Sequence, residues 1–173
     1  INLSMNPEIP DDCDLLFLYA PTSDITDDEK TIIEKYLSDG GKVYLILGDT
    51  TSDTPNLDGI MSDYGLKKVS GYIADTQRCY QGNYYAIFPQ LSLSGDLGRG
   101  ISNQMVLLLN SPGMEKTDTD NDNLTVTPFM QTSDSGYAVT ENDQTQGQYI
   151  LGTVSSNAIS ADSSDSDSED EDD

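Results

Sequence analysis

Residues 14–49 run through an apolar segment, a polar loop, a capped amphipathic helix, a double glycine and a second apolar segment. That order predicts a βαβ unit, and it constrains the fold more than any other stretch of the chain. Leu15-Leu16-Phe17-Leu18-Tyr19-Ala20 is almost continuously apolar and rich in large side chains, as in a strand covered on both faces, and Pro21 stops it. Thr26 and Glu29 stand at the spacing of a capping box, in which the threonine hydroxyl accepts from the Glu29 amide and the Glu29 carboxylate accepts from the Thr26 amide. Asp27 and Asp28 add negative charge at the positive end of the helix dipole. Ile32, Ile33, Tyr36 and Leu37 then form one apolar stripe, with Lys30, Glu34, Lys35 and Asp39 outside it. Gly40-Gly41 ends a helix predicted over residues 27–39, and Lys42-Val43-Tyr44-Leu45-Ile46-Leu47 follows at once as the next strand. A crossover of this kind sets its two strands parallel and adjacent. The expectation is therefore an α/β fold with a mostly parallel sheet and helices on both faces.

The rest of the chain is different in character. Asn56 caps a short helix carrying Leu57, Ile60, Met61 and Tyr64, which Gly65 closes. Beyond it, residues 66–74, 83–88, 104–109, 124–130, 137–140 and 148–154 read as strands or extended segments in a strand-rich C-terminal half, with 95–100 and 111–123 as loops. From Ser155 the apolar residues run out and the chain becomes a Ser/Asp/Glu stretch. Residues 1–154 are expected to form one domain and 155–173 a disordered acidic tail or linker.

Charge narrows the partners. The chain has 31 acidic against 8 basic residues, a formal −23. Eight of the acids lie in residues 160–173, so the body is strongly acidic even without them. Nucleic acid and anionic membrane surfaces are repelled by such a chain. No run reaches the roughly 20 apolar residues that a membrane helix needs. Ile1-Asn2-Leu3 reads like the end of a strand, which suggests a piece of a longer protein. Cys13 and Cys79 permit one disulfide but do not argue for one, and the expectation is two half-buried free thiols.

Several segments together resemble the GldG-type auxiliary proteins of ABC transport systems, a family whose domain also resembles the N-terminal region of an intraflagellar-transport subunit. They are Ile9-Pro10-Asp11-Asp12-Cys13-Asp14, then Ala20-Pro21-Thr22-Ser23-Asp24-Ile25-Thr26-Asp27-Asp28-Glu29, then Tyr36-Leu37-Ser38-Asp39-Gly40-Gly41-Lys42. Pro55-Asn56-Leu57, Asp63-Tyr64-Gly65-Leu66 and Val126-Thr127-Pro128-Phe129-Met130-Gln131-Thr132-Ser133 continue the series. The resemblance implies a Rossmann-like or flavodoxin-like domain outside the cytoplasm, anchored by membrane spans beyond this segment and working beside an ABC permease and ATPase. It also implies a strand and helix upstream of Ile1. It carries over no catalytic residues, and the acidic tail has no counterpart in it.

In an open parallel sheet, ligands sit beyond the C-terminal strand ends. Ser23 and Asp24 follow the first strand there, and Asp49, Thr50 and Ser52 the second, so these five are the candidate binding residues. Asp24 and Asp49 facing each other suit a cation or a polyol; otherwise they are ordinary loop carboxylates. Asp118, Asp120 and Asp122 alternate like the start of a calcium loop, but Asn123 replaces the turn glycine and Phe129 the closing glutamate, which rejects an EF-hand. Tyr80, Tyr84 and Tyr85 with Gln81 and Asn83 suit either a sugar-stacking surface or a half-buried strand. The chain has no histidine, which excludes histidine-based triads and His-liganded zinc, and 95–100 lacks the lysine of a phosphate loop. No cofactor or metal is called for. The leading function is a non-catalytic auxiliary or binding domain, with a carbohydrate or other small molecule as its candidate ligand. The alternative is a metal-dependent hydrolase built on Asp24 and Asp49.

Overall fold

The computed structural model of the chain describes residues 1–48, 53–93 and 104–158. The βαβ unit forms as its sequence dictates. Strands β1 (Leu16–Tyr19) and β2 (Val43–Ile46) are parallel, with Leu16 opposite Val43 and Tyr19 opposite Ile46, and helix α1 (Asp27–Ser38) joins them. Both halves of the capping box are present: the Glu29 N–H donates to Thr26 Oγ1 at 3.2 Å, and the Thr26 N–H to Glu29 Oε2 at 3.0 Å. At the other end Gly40 takes φ +92°. Its N–H donates to the Leu37 carbonyl and that of Gly41 to the Tyr36 carbonyl, the paired bonds of a Schellman stop. Ile9, Leu16, Ile33 and Ile60 make the core of this half, and Leu18, Tyr36 and Val43 pack around it.

Helix α2 (Pro55–Asp63) buries Leu57, Ile60 and Met61 and leads into a different architecture. The remaining strands are β3 (Leu66–Val69), β4 (Tyr72–Asp75), β5 (Cys79–Tyr80), β6 (Asn83–Ile87), β7 (Gln90–Leu91), β8 (Leu108–Leu109), β9 (Gly113–Lys116), β10 (Leu124–Gln131), β11 (Gly136–Val139), β12 (Gln144–Gln146) and β13 (Ile150–Asn157). They pair antiparallel in three sheets ordered β3-β9-β13-β10-β7, β12-β11-β4 and β5-β6-β8. Ile73, Ile87, Ala138, Tyr149 and Leu151 form the core between them.

This corrects the expected fold class. The described residues hold two helices and mostly antiparallel sheets, so the Rossmann-like or flavodoxin-like parallel sheet with helices on both faces is not formed. A parallel neighbour needs a crossover of a dozen residues or more, usually through a helix, whereas most connections after residue 66 are turns of a few residues. Such turns either make hairpins or carry the chain from one sheet to another. Ser70-Gly71 does the second: β3 pairs with β9, but β4 pairs with β11. Gly71 sits at φ +83°, and a Cβ there would meet the Val139 carbonyl oxygen at 2.0 Å. The segment 66–74, expected as one strand, is thus two strands in two sheets. The expected loop at 111–123 contains β9, and β13 continues through Ser155 to Asn157, opposite Leu124. The expected loop at 95–100 and the tail from 159 lie outside the described residues.

One buried charge ties the antiparallel half together. Asp75, at the end of β4, is fully buried. Its Oδ1 accepts from the Gln77 N–H at 2.9 Å, the Arg78 N–H at 2.8 Å and the Ser133 hydroxyl at 2.9 Å, and its Oδ2 accepts from the Ser133 N–H at 2.7 Å. Burial pushes this carboxyl upward, but the hydrogen bonds from Ser133, Arg78 and Gln77 outweigh it and hold its pKa below the ordinary 3.8. Next to Ser133, buried Thr132 exchanges its N–H and hydroxyl with the Tyr149 backbone, which fixes β13 to the same turn.

Two outcomes follow from these contacts. Thr26→Ala removes the cap and lowers unfolding free energy by about 1 kcal/mol, measured by urea denaturation. Asp75→Asn turns an amide toward donors and costs about 3 kcal/mol. Because the folded pKa of Asp75 is depressed, its contribution is fully present above the unfolded value near 3.8 and is lost as pH falls through the lower folded value. Melts between pH 7 and pH ~2 should show a steeper acid loss for the native chain than for Asp75→Asn.

Candidate functional site

The C-terminal ends of β1 and β2 lie side by side, where the sequence places a ligand crevice. The Ala20 N–H donates to the Ile46 carbonyl at 3.0 Å, and Ala20 itself turns to φ +44°, which bends the chain out of the strand toward Ser23 and Asp24. Gly48 is pressed against this bend: a Cβ on it would come within 2.7 Å of the Ala20 carbonyl carbon.

Asp24 does a job that its spacing did not reveal. One of its oxygens accepts from the Asn56 N–H at 2.9 Å and the other from the Leu57 N–H at 3.1 Å, so it caps α2 from thirty residues upstream. Thr54, the residue at the cap position, makes no side-chain cap and instead donates its hydroxyl to Asp58. Asn56 completes the junction by donating to the Ile25 carbonyl and to Asp27. Ser23 is exposed beside this junction. Asp49, Thr50 and Ser52 lie outside the described residues, so the expected pairing of Asp24 with Asp49 has no described geometry.

Beyond the β2 end there is a cleft of about 440 Å³, lined among others by Leu47, Gly48, Lys68, Tyr72, Asn110 and Ser111. None of the last four was singled out by sequence, because they arrive from β3, β4 and the turn after β8, distant in the chain. Asn110 sits at φ +47°, in a sharp turn that Asn110-Ser111-Pro112 is suited to make.

The face of β1–β2 turned away from α1 is the most unusual surface. Alternation puts Leu16 and Leu18 toward the helix and Leu15, Phe17 and Tyr19 on the opposite side, joined by Tyr44 of β2. Phe17, Tyr19 and Tyr44 are half exposed or more, and Tyr19 reaches 72%. Their rings stack on one another, Phe17 on Tyr44 with centroids 5.1 Å apart and Phe17 on Tyr19 at 6.0 Å. Rings that spend their faces on each other present an apolar ridge rather than a flat stacking platform.

The other candidates resolve more simply. Asn121, not the alternating aspartates, organises its loop by accepting from the Asn123 N–H, and among the described residues no group of carboxylates and thiols is arranged to hold a metal ion. Tyr80 lies in the β5–β6 hairpin with its ring edge-on to Phe88, while Tyr84 is half exposed and Asn83 accepts from the Tyr85 N–H. Cys13 and Cys79 are both free thiols. Among the described residues no helix is long and apolar enough to cross a membrane.

The fold is similar to that of the solved "mmIFT52 N-terminal domain", with a TM-score of 0.53, 15% sequence identity, and coverage of 80% of this chain and 65% of that one. The chain therefore spans slightly under two thirds of that domain, and at this identity the likeness concerns the fold alone. No curated protein matches the chain. A family model described as an ABC-type uncharacterized transport system matches residues 1–162, in agreement with the resemblance to auxiliary transport proteins. Since that match spans nearly all of the 173 residues, the chain belongs to this ABC transport auxiliary family.

Proposed function

We propose that the chain is a non-catalytic domain, held outside the cytoplasm by membrane spans elsewhere in its protein, that docks onto the permease and ATPase assembly of an ABC transport system. Family membership supports the transport role in general. The observation that carries the docking role is the β1–β2 ridge. Parallel strands are as a rule covered on both faces, yet here one face carries a continuous aromatic surface. At ~200 Å² per aromatic side chain, the exposed parts amount to about 350 Å² of apolar surface, the size of patch that marks an interaction site.

The partner surface is apolar at its centre and basic at its rim. A second copy of this chain brings the same formal −23 and is repelled, whereas Lys and Arg around an apolar groove are attracted to Asp11, Asp12 and Asp14 at the N-terminal end of β1. Ser23 and Asp24 follow the other end of β1, and we propose that they share in this contact together with Asp49, Thr50 and Ser52. Nothing in the site or the comparisons favours a hydrolase: both Asp24 oxygens already accept from α2.

Tyr19→Asp tests the reading with little effect on the fold, because the side chain is exposed. Unfolding free energy should change by less than about 0.5 kcal/mol. Co-purification of the full-length protein with its permease should fall about tenfold or more. Tyr84→Asp, on β6, should leave co-purification unchanged. Equal association of native chain and Tyr19→Asp would overturn the docking face.

A further inference from the structure

The antiparallel half holds a second cleft, of about 580 Å³, between the β5–β6 hairpin, β7 and residues 104–106. Its volume lies within the ~300–1,000 Å³ range of small-molecule sites. Phe88, Pro89, Leu91, Met105 and Val106 give it apolar walls, Gln77 and Gln104 add polar edges, and among the described lining residues Arg78 is the single cation. Met105 is 81% exposed at the rim.

The arginine is held in place from two directions. Its backbone N–H is fixed by buried Asp75, and its side chain is tied down at Nε, which donates to the Phe88 carbonyl at 2.8 Å, and at Nη2, which donates to the Pro89 carbonyl at 3.3 Å. Two of the five guanidinium protons are thereby used, and two of the remaining three lie along the Nη1–Nη2 edge. That edge has no hydrogen-bond or ion-pair partner among the described residues, in a chain where acids outnumber bases 31 to 8. A carboxylate matches such an edge in a bidentate pair. A bare inorganic anion would leave the apolar walls unused. Repulsion from the acidic body is screened beyond about 10 Å at 0.1 M salt, while the arginine contact is direct.

We propose that this cleft binds an amphiphilic monocarboxylate, a medium-chain acyl carboxylate, with its carboxylate on the Nη1–Nη2 edge of Arg78 and its chain along Phe88, Leu91, Met105 and Val106. The inference does not depend on the docking role of the β1–β2 ridge, which lies in the other half of the molecule.

Calorimetric titration of the purified protein with octanoate and decanoate, below their micelle concentrations, tests it. Saturable one-to-one binding is expected, tightening by roughly fourfold for each added methylene that is buried. Decanol, acetate and inorganic phosphate should each bind about tenfold more weakly than decanoate or worse. Arg78→Lys keeps the charge but loses the planar fork, and should weaken decanoate about tenfold. Met105→Glu sets a carboxylate at the rim from an exposed position that the fold does not need, and should abolish binding. No saturable heat, equal binding of decanol and decanoate, equal binding of phosphate and decanoate, or undiminished binding by Met105→Glu would each overturn the proposal.

Discussion

A carboxylate with no solvent contact is tolerated only when its charge is met by donors, and Asp75 meets four. Those donors come from the turn after β4 and from the turn between β10 and β11, segments almost sixty residues apart. The antiparallel half has many short strands and few long ones, so its sheets share little edge. What fixes one sheet against another is this polar knot together with Thr132 and the Tyr149 backbone, set beside the apolar core of Ile73, Ile87, Ala138 and Leu151. The apolar core supplies most of the driving force, but it is indifferent to small slips. The directional bonds of Asp75 remove that freedom.

The contrast between the two halves explains how much of the structure could be read from the residues. In the βαβ unit every signal is local: Thr26 and Glu29 are three residues apart, the apolar stripe repeats within one helix, and Gly40 follows the last turn. Beyond residue 66 the deciding contacts are non-local. Residues 66–74 look like one extended strand until Val139, on β11, approaches Gly71 and forces the chain to change sheets. The sequence pattern of β9 within a polar stretch is too short to separate from a loop, and its partners β3 and β13 lie on either side in the chain. One βαβ unit does not imply a parallel sheet for the whole chain, because most of the later connections are too short for crossovers.

The site residues show the same division. Ser23 and Asp24 fall at the strand ends where parallel-sheet geometry puts them. That the Asp24 carboxylate would be taken up by α2 could not be read locally, since Asn56 looks like a sufficient cap, whereas it lies inside the first turn and the real cap stands in another loop. Arg78 was equally silent as a residue beside Cys79. Its significance comes from the carbonyls of Phe88 and Pro89, which the β5–β6 hairpin folds back onto it.

The cap supplied by Asp24 has a mechanical consequence. Two N–H groups of α2 are satisfied only while the loop after β1 stays where it is, so displacing that loop by even a few ångströms exposes the helix end and costs on the order of 1–2 kcal/mol. Asn56 transmits the same dependence to the first turn of α1 through Asp27. A load applied to the strand-end loop is therefore felt at both helices at once. Since α2 runs directly into β3, the junction couples the parallel half of the molecule to the antiparallel half.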